Sequence, residues 1–443
     1  MILSRRVLLG STLATLIAHH HERRASPEPS VPKAPPRRLI AQKAQVRLMP
    51  AAAPETGILG FDGTAPGPLL RCKLGDELAI RLVNQTDQPL TLANWGLRIP
   101  NALDGVAPLT QEPVPPGGSF DYTFKPVDAG LFGYRSFVAP DAGNQLRHGL
   151  YGALIVDEAD PPPADKDIVA ILSDWQLDAK TQILASAQAG MSLATLNSRP
   201  LATEETHKPG SRIRLRLLNA AAARLFFVAF ENVSPHVLAI DGQPCAAFSP
   251  GGNMLPIGPG GRFDVMFDLP DKPGTARLLL RDDATHDRPL MVFRTEGNKW
   301  PDIDPIPNLP PNPLLPAKIR LEAAKNLQIL ISGGGAAPFG LNSAAAKDFD
   351  KASLFSIKRG VPATLALVNK SSAAQQMRVH GHALRILHDL DDGWDPYWRD
   401  SVIAPPGHTK HIAFVADNPG KWAIEMLPLD VPAGDMVTWF EVL

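Results

Sequence analysis

Short runs that alternate apolar and polar residues recur along this chain. Glu77-Leu78-Ala79-Ile80-Arg81-Leu82-Val83, Arg212-Ile213-Arg214-Leu215-Arg216-Leu217-Leu218 and Ala363-Thr364-Leu365-Ala366-Leu367-Val368 each follow a glycine-containing turn. Each run also ends at an asparagine: Asn84, Asn219 and Asn369. A period of two closed by turn residues marks a strand, because successive side chains on a strand point to opposite faces. The runs lie about 135 and 150 residues apart, the size of a small β-sandwich, so their shared punctuation predicts one domain repeated three times. No heptad or long helical period competes with this reading.

Two proline-rich stretches separate the units. Asp160-Pro161-Pro162-Pro163 is the first. The second runs from Trp300 to Pro316, with a proline every two or three residues, and predicts a stiff, extended connection. The expected domains are 39–157, 166–297 and 318–443, after a leader at 1–30 and a flexible lead-in that reaches Pro36. The predicted class is all-β, three consecutive sandwiches.

Composition supports that class and narrows the partners. With 443 residues, 44% of them hydrophobic, the chain can bury several cores, and its 45 prolines and 35 glycines suit short strands joined by turns. Lys and Arg (44) nearly cancel Asp and Glu (45), so no basic field attracts nucleic acid. Ser4-Arg5-Arg6-Val7-Leu8-Leu9 opens an apolar run to Ala18, too short to span a bilayer. Paired arginines before such a run read as a twin-arginine export signal, which implies the periplasm. No later stretch predicts a transmembrane span. Cys72 and Cys245 are the two cysteines; they are expected as small buried hydrophobes, with a disulfide between them the alternative.

Several motifs are more specific. Asn101-Ala102-Leu103-Asp104-Gly105, Pro115-Pro116-Gly117-Gly118-Ser119-Phe120, Asp128-Ala129-Gly130 and Gly149-Leu150-Tyr151-Gly152 stand in the first unit. Ser173-Asp174-Trp175, Asp241-Gly242-Gln243 and Gly261-Arg262-Phe263-Asp264-Val265 stand in the second. Val379-His380-Gly381-His382, Pro405-Pro406-Gly407 and Asp417-Asn418-Pro419-Gly420-Lys421-Trp422 stand in the third. Together they resemble the multicopper oxidases over nearly all of the chain after residue 39. The resemblance implies cupredoxin-like Greek-key sandwiches.

It also implies copper chemistry, and there the residues depart from the family. A blue-copper site needs a Cys thiolate and two His, often with an axial Met. A trinuclear cluster needs His-x-His pairs, whose spacing aims two imidazoles from one strand at one cluster. At the first pair stand Ala93 and Trp95, and at the second Arg135 and Phe137. In the third domain the blue-copper His position is Gln375 and a cluster position is Arg378, while His380 survives. The His-Cys-His core reads Glu425-Met426-Leu427, the second blue-copper His falls near Val431, and Met436 matches the axial position. Neither cysteine lies in the third domain, and two arginines place fixed positive charge where cations would sit. No copper, other cofactor or catalytic residue is therefore expected.

The substitutions suggest a filling. Arg135 and Arg378 are expected to pair with Glu425 between the first and third domains, while Trp95 and Phe137 occupy the volume that metals take in relatives. His380 and His382 are expected on one strand face, with His388, His408 and His411 nearby as hydrogen-bonded or solvated side chains. Asp389, Asp391 and Asp392 before Gly393 hint at a calcium loop that lacks its downstream Glu. Trp394, Tyr397 and Trp398 form either a partner-binding patch or packing beneath a loop. The favoured function is an exported, copper-free scaffold with a periplasmic protein partner, resembling the family's ligand-depleted branch associated with bacterial cell division. The alternatives are a laccase-type copper oxidoreductase with a divergent site and a binder of an aromatic anion beside Trp95 and Phe137.

Overall fold

The alternating runs are strands. The protein is represented by a computed structural model that describes residues 35–443 apart from 185–190, 282–286, 302–303, 336, 343–348, 350–351, 389–392 and 432–435. The three runs become the strands Leu78–Asn84, Arg212–Asn219 and Pro362–Asn369. Along the first and third, every second residue is buried, as the period requires. The middle strand differs, because all eight of its residues are buried, three arginines included. An acidic row makes this tolerable: Asp268 accepts from Arg212, Asp264 and Glu158 from Arg214, and Asp167 from Arg216.

Each of these strands has the same setting. It runs parallel to an earlier strand (Arg37–Val46, Lys166–Leu177 or Lys325–Gly334). It runs antiparallel to a later one (Ser119–Phe124, Arg262–Asp268 or Thr409–Val415). The terminal asparagine does one job three times. Asn84 Nδ2 donates to the carbonyls of Gln88 and Val114, while its Oδ1 accepts from Thr86 N–H. Asn219 donates to Arg224 and Ile257 and accepts from Ala221. Asn369 donates to Ala373 and Ala404 and accepts from Ser371. The side chain closes the turn after its strand and satisfies buried carbonyls there.

Among the described residues the strands form six sheets, two within Arg37–Asp157, two within Lys166–Thr295 and two within Lys325–Val442. Each pair encloses its own apolar core, so the class is all-β with three consecutive sandwiches. Two more apolar clusters join them. Trp95, Leu131 and Tyr151 pack with Ile171, Trp175 and Leu218 between the first and second. Ala93, Val106 and Phe137 pack with Ala423 and Val437 between the first and third.

The proline-rich stretch is strapped down as well as stiff. Leu309 packs on Leu238 and Met266, Asn308 accepts from Ala247 N–H, and Asn312 donates to both Asp128 and Gln243. Both cysteines are free, Cys72 half-buried and Cys245 buried. The leader and its paired arginines lie outside the described residues. Among the described residues, no helix is long and apolar enough to cross a membrane.

Replacing Asn369 by Ala removes a donor from two buried carbonyls, of which Ala373 keeps Ser371 Oγ, and the acceptor of the Ser371 N–H. The expected loss is about 3 kcal/mol, read as a lower urea midpoint for the third sandwich. A loss below about 0.5 kcal/mol would mean that the turn holds without the side chain.

Candidate functional site: a charge-filled junction

Trp95, Arg135 and Phe137 meet because the strand Ala93–Trp95 lies antiparallel to Gly130–Arg135. Ala93 faces Arg135, and Trp95 faces Gly133. Only glycine fits at 133, where a β-carbon would come within 2.3 Å of the Trp95 ring. The Arg135 guanidinium carbon stands 5.2 Å from the Trp95 ring centre and 4.6 Å from that of Phe137. Aromatic faces suit the flat sides of a guanidinium but leave its N–H groups in need of an acceptor. Glu425 is that acceptor, taking a hydrogen bond from Arg135 Nη2 at 2.6 Å. It comes from the strand Gly420–Pro428, so the ion pair joins the first and third sandwiches. Neither side chain is more than 2% exposed.

His380 extends the row. Its Nδ1 is 3.1 Å from Asp104 Oδ2, and its Nε2 is 3.8 Å from Glu425 Oε2. Burial pushes this imidazole down, but Asp104 and Glu425 outweigh burial and raise it to about 9. Burial likewise pushes Glu425 up, and Arg135 with His380 outweighs that and holds it at about 2. Asp104, His380, Glu425 and Arg135 therefore alternate in sign and sum to zero near neutral pH.

Arg378 corrects the sequence expectation. It lies opposite Glu425 across two paired strands, yet its guanidinium turns to other acceptors. Nη1 donates to Asp400, and Nη2 donates to the Pro259 carbonyl at 2.8 Å. Arg135 already takes Glu425, and Asp400 also faces Arg262, so a second acid absorbs the second charge. Arg262 touches all three sandwiches. It donates to the Leu131 carbonyl of the first, to the Gly260 and Asp241 carbonyls of the second, and to the Asp400 carboxylate of the third. Gly96, at φ +85°, leaves room for it, since a β-carbon there would lie 2.1 Å from Arg262 Nη2.

A second correction concerns His380 and His382, which do not share a strand face. The strand Gln375–Val379 ends before them, and Gly381 turns the chain at φ +66°. His380 goes to Asp104, whereas His382 enters a box of Phe414, Trp422 and Phe440, with ring centres 5.3–5.6 Å away. Burial pushes His382 down to about 4, so it is neutral and donates Nδ1–H to the His380 carbonyl.

The other sequence-predicted positions are packed. Gln375 is buried and donates to Ser371 Oγ at 3.0 Å. Met426, Leu427 and Met436 are buried, and Met426 pairs across strands with Met436. Val431 is half-buried at the turn that follows. His388, His408 and His411 are exposed. Tyr397 stacks on Phe248 of the second sandwich at 5.1 Å, and Trp398 is buried beneath Arg385, so the aromatic cluster is packing. Asp389, Asp391 and Asp392 lie outside the described residues. Trp95 and Phe137 are fully engaged by Arg135, which leaves no open aromatic pocket for an anion between them.

Two family profiles, both described as multicopper oxidase, match residues 43–161 and 320–426. The multicopper oxidase MmcO of Mycobacterium tuberculosis is 27% identical over 435 residues, covering 87% of this chain and 82% of that protein. A crystal structure of a multi-copper oxidase from Pseudomonas thermotolerans is 27% identical and has a TM-score of 0.80, covering 92% of this chain and 98% of its own. One from Pseudomonas parafulva is 26% identical, with a TM-score of 0.79, covering 92% of this chain and 100% of its own. The chain belongs to the multicopper oxidase family. Some curated relatives are matched over less than two thirds of their length; copper resistance protein A of Escherichia coli, 26% identical over 41% of this chain, is matched over 38% of its own.

As in other multicopper oxidases, the sandwiches are cupredoxin-like. The donor set at the junction nevertheless does not fit copper. A guanidinium has no lone pair to give, Glu425 is taken by Arg135, and His380 is held between two carboxylates. Among the described residues, no three His, Cys, Asp or Glu side chains are grouped so as to hold a metal ion. Asp104, Asp400 and Arg262 are the residues that sequence reasoning misses here. Arg135 and Arg378 cannot share Glu425 without leaving net charge, which asks for Asp400. Arg262 shares Asp400, and the buried Asp241 carboxylate, which interacts with both Arg262 and Arg378, supplies the remaining negative charge.

Substituting Glu425 by Gln leaves Arg135 and a protonated His380 facing a neutral amide, with an expected loss of about 3 kcal/mol. The pH profile has a defined sign. His380 is raised from 6.5 to about 9, so its contribution is complete below pH 6.5 and lost as pH rises through 9. Glu425 is depressed from 4.5 to about 2, so its contribution is complete above pH 4.5 and lost as pH falls towards 2. His382, depressed from 6.5 to about 4, adds a further loss on the acid side. Denaturation midpoints measured between neutral and alkaline pH should decline by the equivalent of up to about 3 kcal/mol, and His380→Gln should flatten that limb.

Proposed function

We propose that this chain is a copper-free multicopper oxidase homologue that acts by binding another protein rather than by oxidising a substrate. The observation that carries the reading is the buried Arg135–Glu425 ion pair, at positions that the family resemblance assigns to cluster ligands. Arg378, at another such position, is likewise neutralised by an acid and occupied as a link to the second sandwich. In this reading the charged rows fix the arrangement of the sandwiches at the place where the family resemblance puts copper. We take the domain limits as 39–157, 166–297 and 318–443, which the grouping of the sheets supports. The leader supports export by the twin-arginine route to the periplasm, and a role in the cell envelope or in division rests on likeness to the ligand-depleted branch.

The second reading is a laccase-type oxidoreductase, favoured by the likeness to relatives such as the multicopper oxidase MmcO. Copper loading of the purified mature protein separates the two. The expected result is no stoichiometric copper, no blue absorption and no oxidation of a phenolic substrate. Several tightly bound coppers per chain with a blue band would overturn the copper-free reading.

A further inference from the structure

Beside the Asn312 strap, two adjoining hollows of about 710 and 700 Å³ share Leu314 and Asp417. Their walls come from the first sandwich at Lys125 and Val127, from the strap at Pro313–Pro316, and from the third sandwich at Arg359–Pro362 and Pro419. Leu314 is 54% exposed and Val127 43%, which is unusual for aliphatic side chains in a recess. Leu314 is also held rather than loose. Its N–H donates to Asn312 Oδ1, the Leu315 N–H donates to the Asn312 carbonyl, and Asn312 itself is tied to Asp128 and Gln243.

The charge around these apolar residues is one-sided. Lys125, Lys318, Arg320 and Arg359 are exposed along the walls, and the first three form no ion pair among the described residues. Arg98 is already neutralised by Asp128 and Asp417. Against the four exposed cations stand Glu322 and Asp417. Prolines at 313, 316, 362 and 419 fix the backbone of the rim, so ordering it on binding costs little entropy.

We infer that this groove docks an extended acidic segment of a partner protein, with aliphatic side chains resting on Leu314 and Val127 and carboxylates meeting Lys125, Lys318 and Arg320. The inference rests on the protein-binding reading above and names the chemistry of the partner. A recess lined jointly by the first sandwich, the strap and the third sandwich suits a chain better than a flat lipid surface.

The test uses fluorescence polarisation with the intact mature protein and three short labelled peptides that alternate Leu with Glu, Leu with Lys, or Ser with Glu. The Leu–Glu peptide should bind, more weakly as salt is raised, and the other two should not. Leu314→Ser with Val127→Ser should weaken binding about tenfold, and Lys318→Glu with Arg320→Glu by a similar factor. Both changes lie on exposed side chains, so the thermal midpoint should not move. The inference is overturned if the Leu–Lys peptide binds as well, if neither double variant weakens binding, or if the protein ignores all peptides. Capture by phosphatidylglycerol vesicles through the same four residues, with no peptide bound, would also overturn it in favour of a membrane. Copper measured on the same preparation keeps the two claims apart. Copper-free protein that ignores the Leu–Glu peptide sinks the groove alone, whereas a copper-loaded oxidase that binds it sinks the copper-free reading alone.

Discussion

A guanidinium keeps its proton even when buried, and three of them lie at the junction of the sandwiches. Arg135, Arg262 and Arg378 cannot be neutralised by titration, so each must find an acceptor or be expelled to water. None of the three finds its carboxylate on its own sandwich except Arg378, and that one shares Asp400 with Arg262 of the second. The relative placement of the sandwiches is therefore tied to the arginines. Sliding the third sandwich by one strand register would move Glu425 off Arg135 and Asp400 off Arg262 together. Gly96 and Gly133 make the same point from the side of volume, since each gives up a side chain so that a large neighbour can enter.

Buried ion pairs are poor evidence of net stability, because desolvation offsets much of their attraction. The adhesion here comes from elsewhere. Leu131, Trp175 and Leu218 on one side, and Phe137, Ala423 and Val437 on the other, bury apolar surface between sandwiches without any charge. Apolar contact is permissive about register, whereas a buried charge row is not. The division of labour is then physical: the apolar clusters hold the sandwiches together, and the rows through Arg135 and Arg262 choose one arrangement among the many that such clusters would allow.

The architecture was legible in the sequence because strand period, turn residues and the recurring asparagines are local signals. Asn84, Asn219 and Asn369 carried more meaning than punctuation, each completing the same set of buried hydrogen bonds. The junction was legible in part. Arginine and methionine at positions where the family resemblance places His and Cys were legible directly, and so was the need of Arg135 for Glu425. What pattern alone does not show is direction. Arg378 and Glu425 are cross-strand neighbours, yet a long side chain reaches past its neighbour to an acid that it shares with Arg262. The burial of Arg212, Arg214 and Arg216 escaped for a similar reason, since alternation suggests one polar face and only the acids of adjacent strands turn that face inward. His380 and His382 parted because Gly381 at positive φ ended the strand between two residues that spacing would place together.

A junction filled this way also limits where function can reside. Trp95, Phe137 and His380 are fully enclosed, with Glu425 and Asp104 facing Arg135 and His380, so the described residues around them leave no opening to solvent. The enclosure has a counterpart outside. Holding the strap through Asn312 forces Leu314 into water, and an aliphatic residue kept exposed by three hydrogen bonds upstream is a cost that no described residue relieves. A rigid junction and a rigid rim are parts of one arrangement, because Asp128 anchors both Arg98 beside the third sandwich and Asn312 beneath the exposed leucine. The stiff junction thus carries a stiff rim whose exposed apolar and cationic groups, Leu314, Val127, Lys318 and Arg320, face outward.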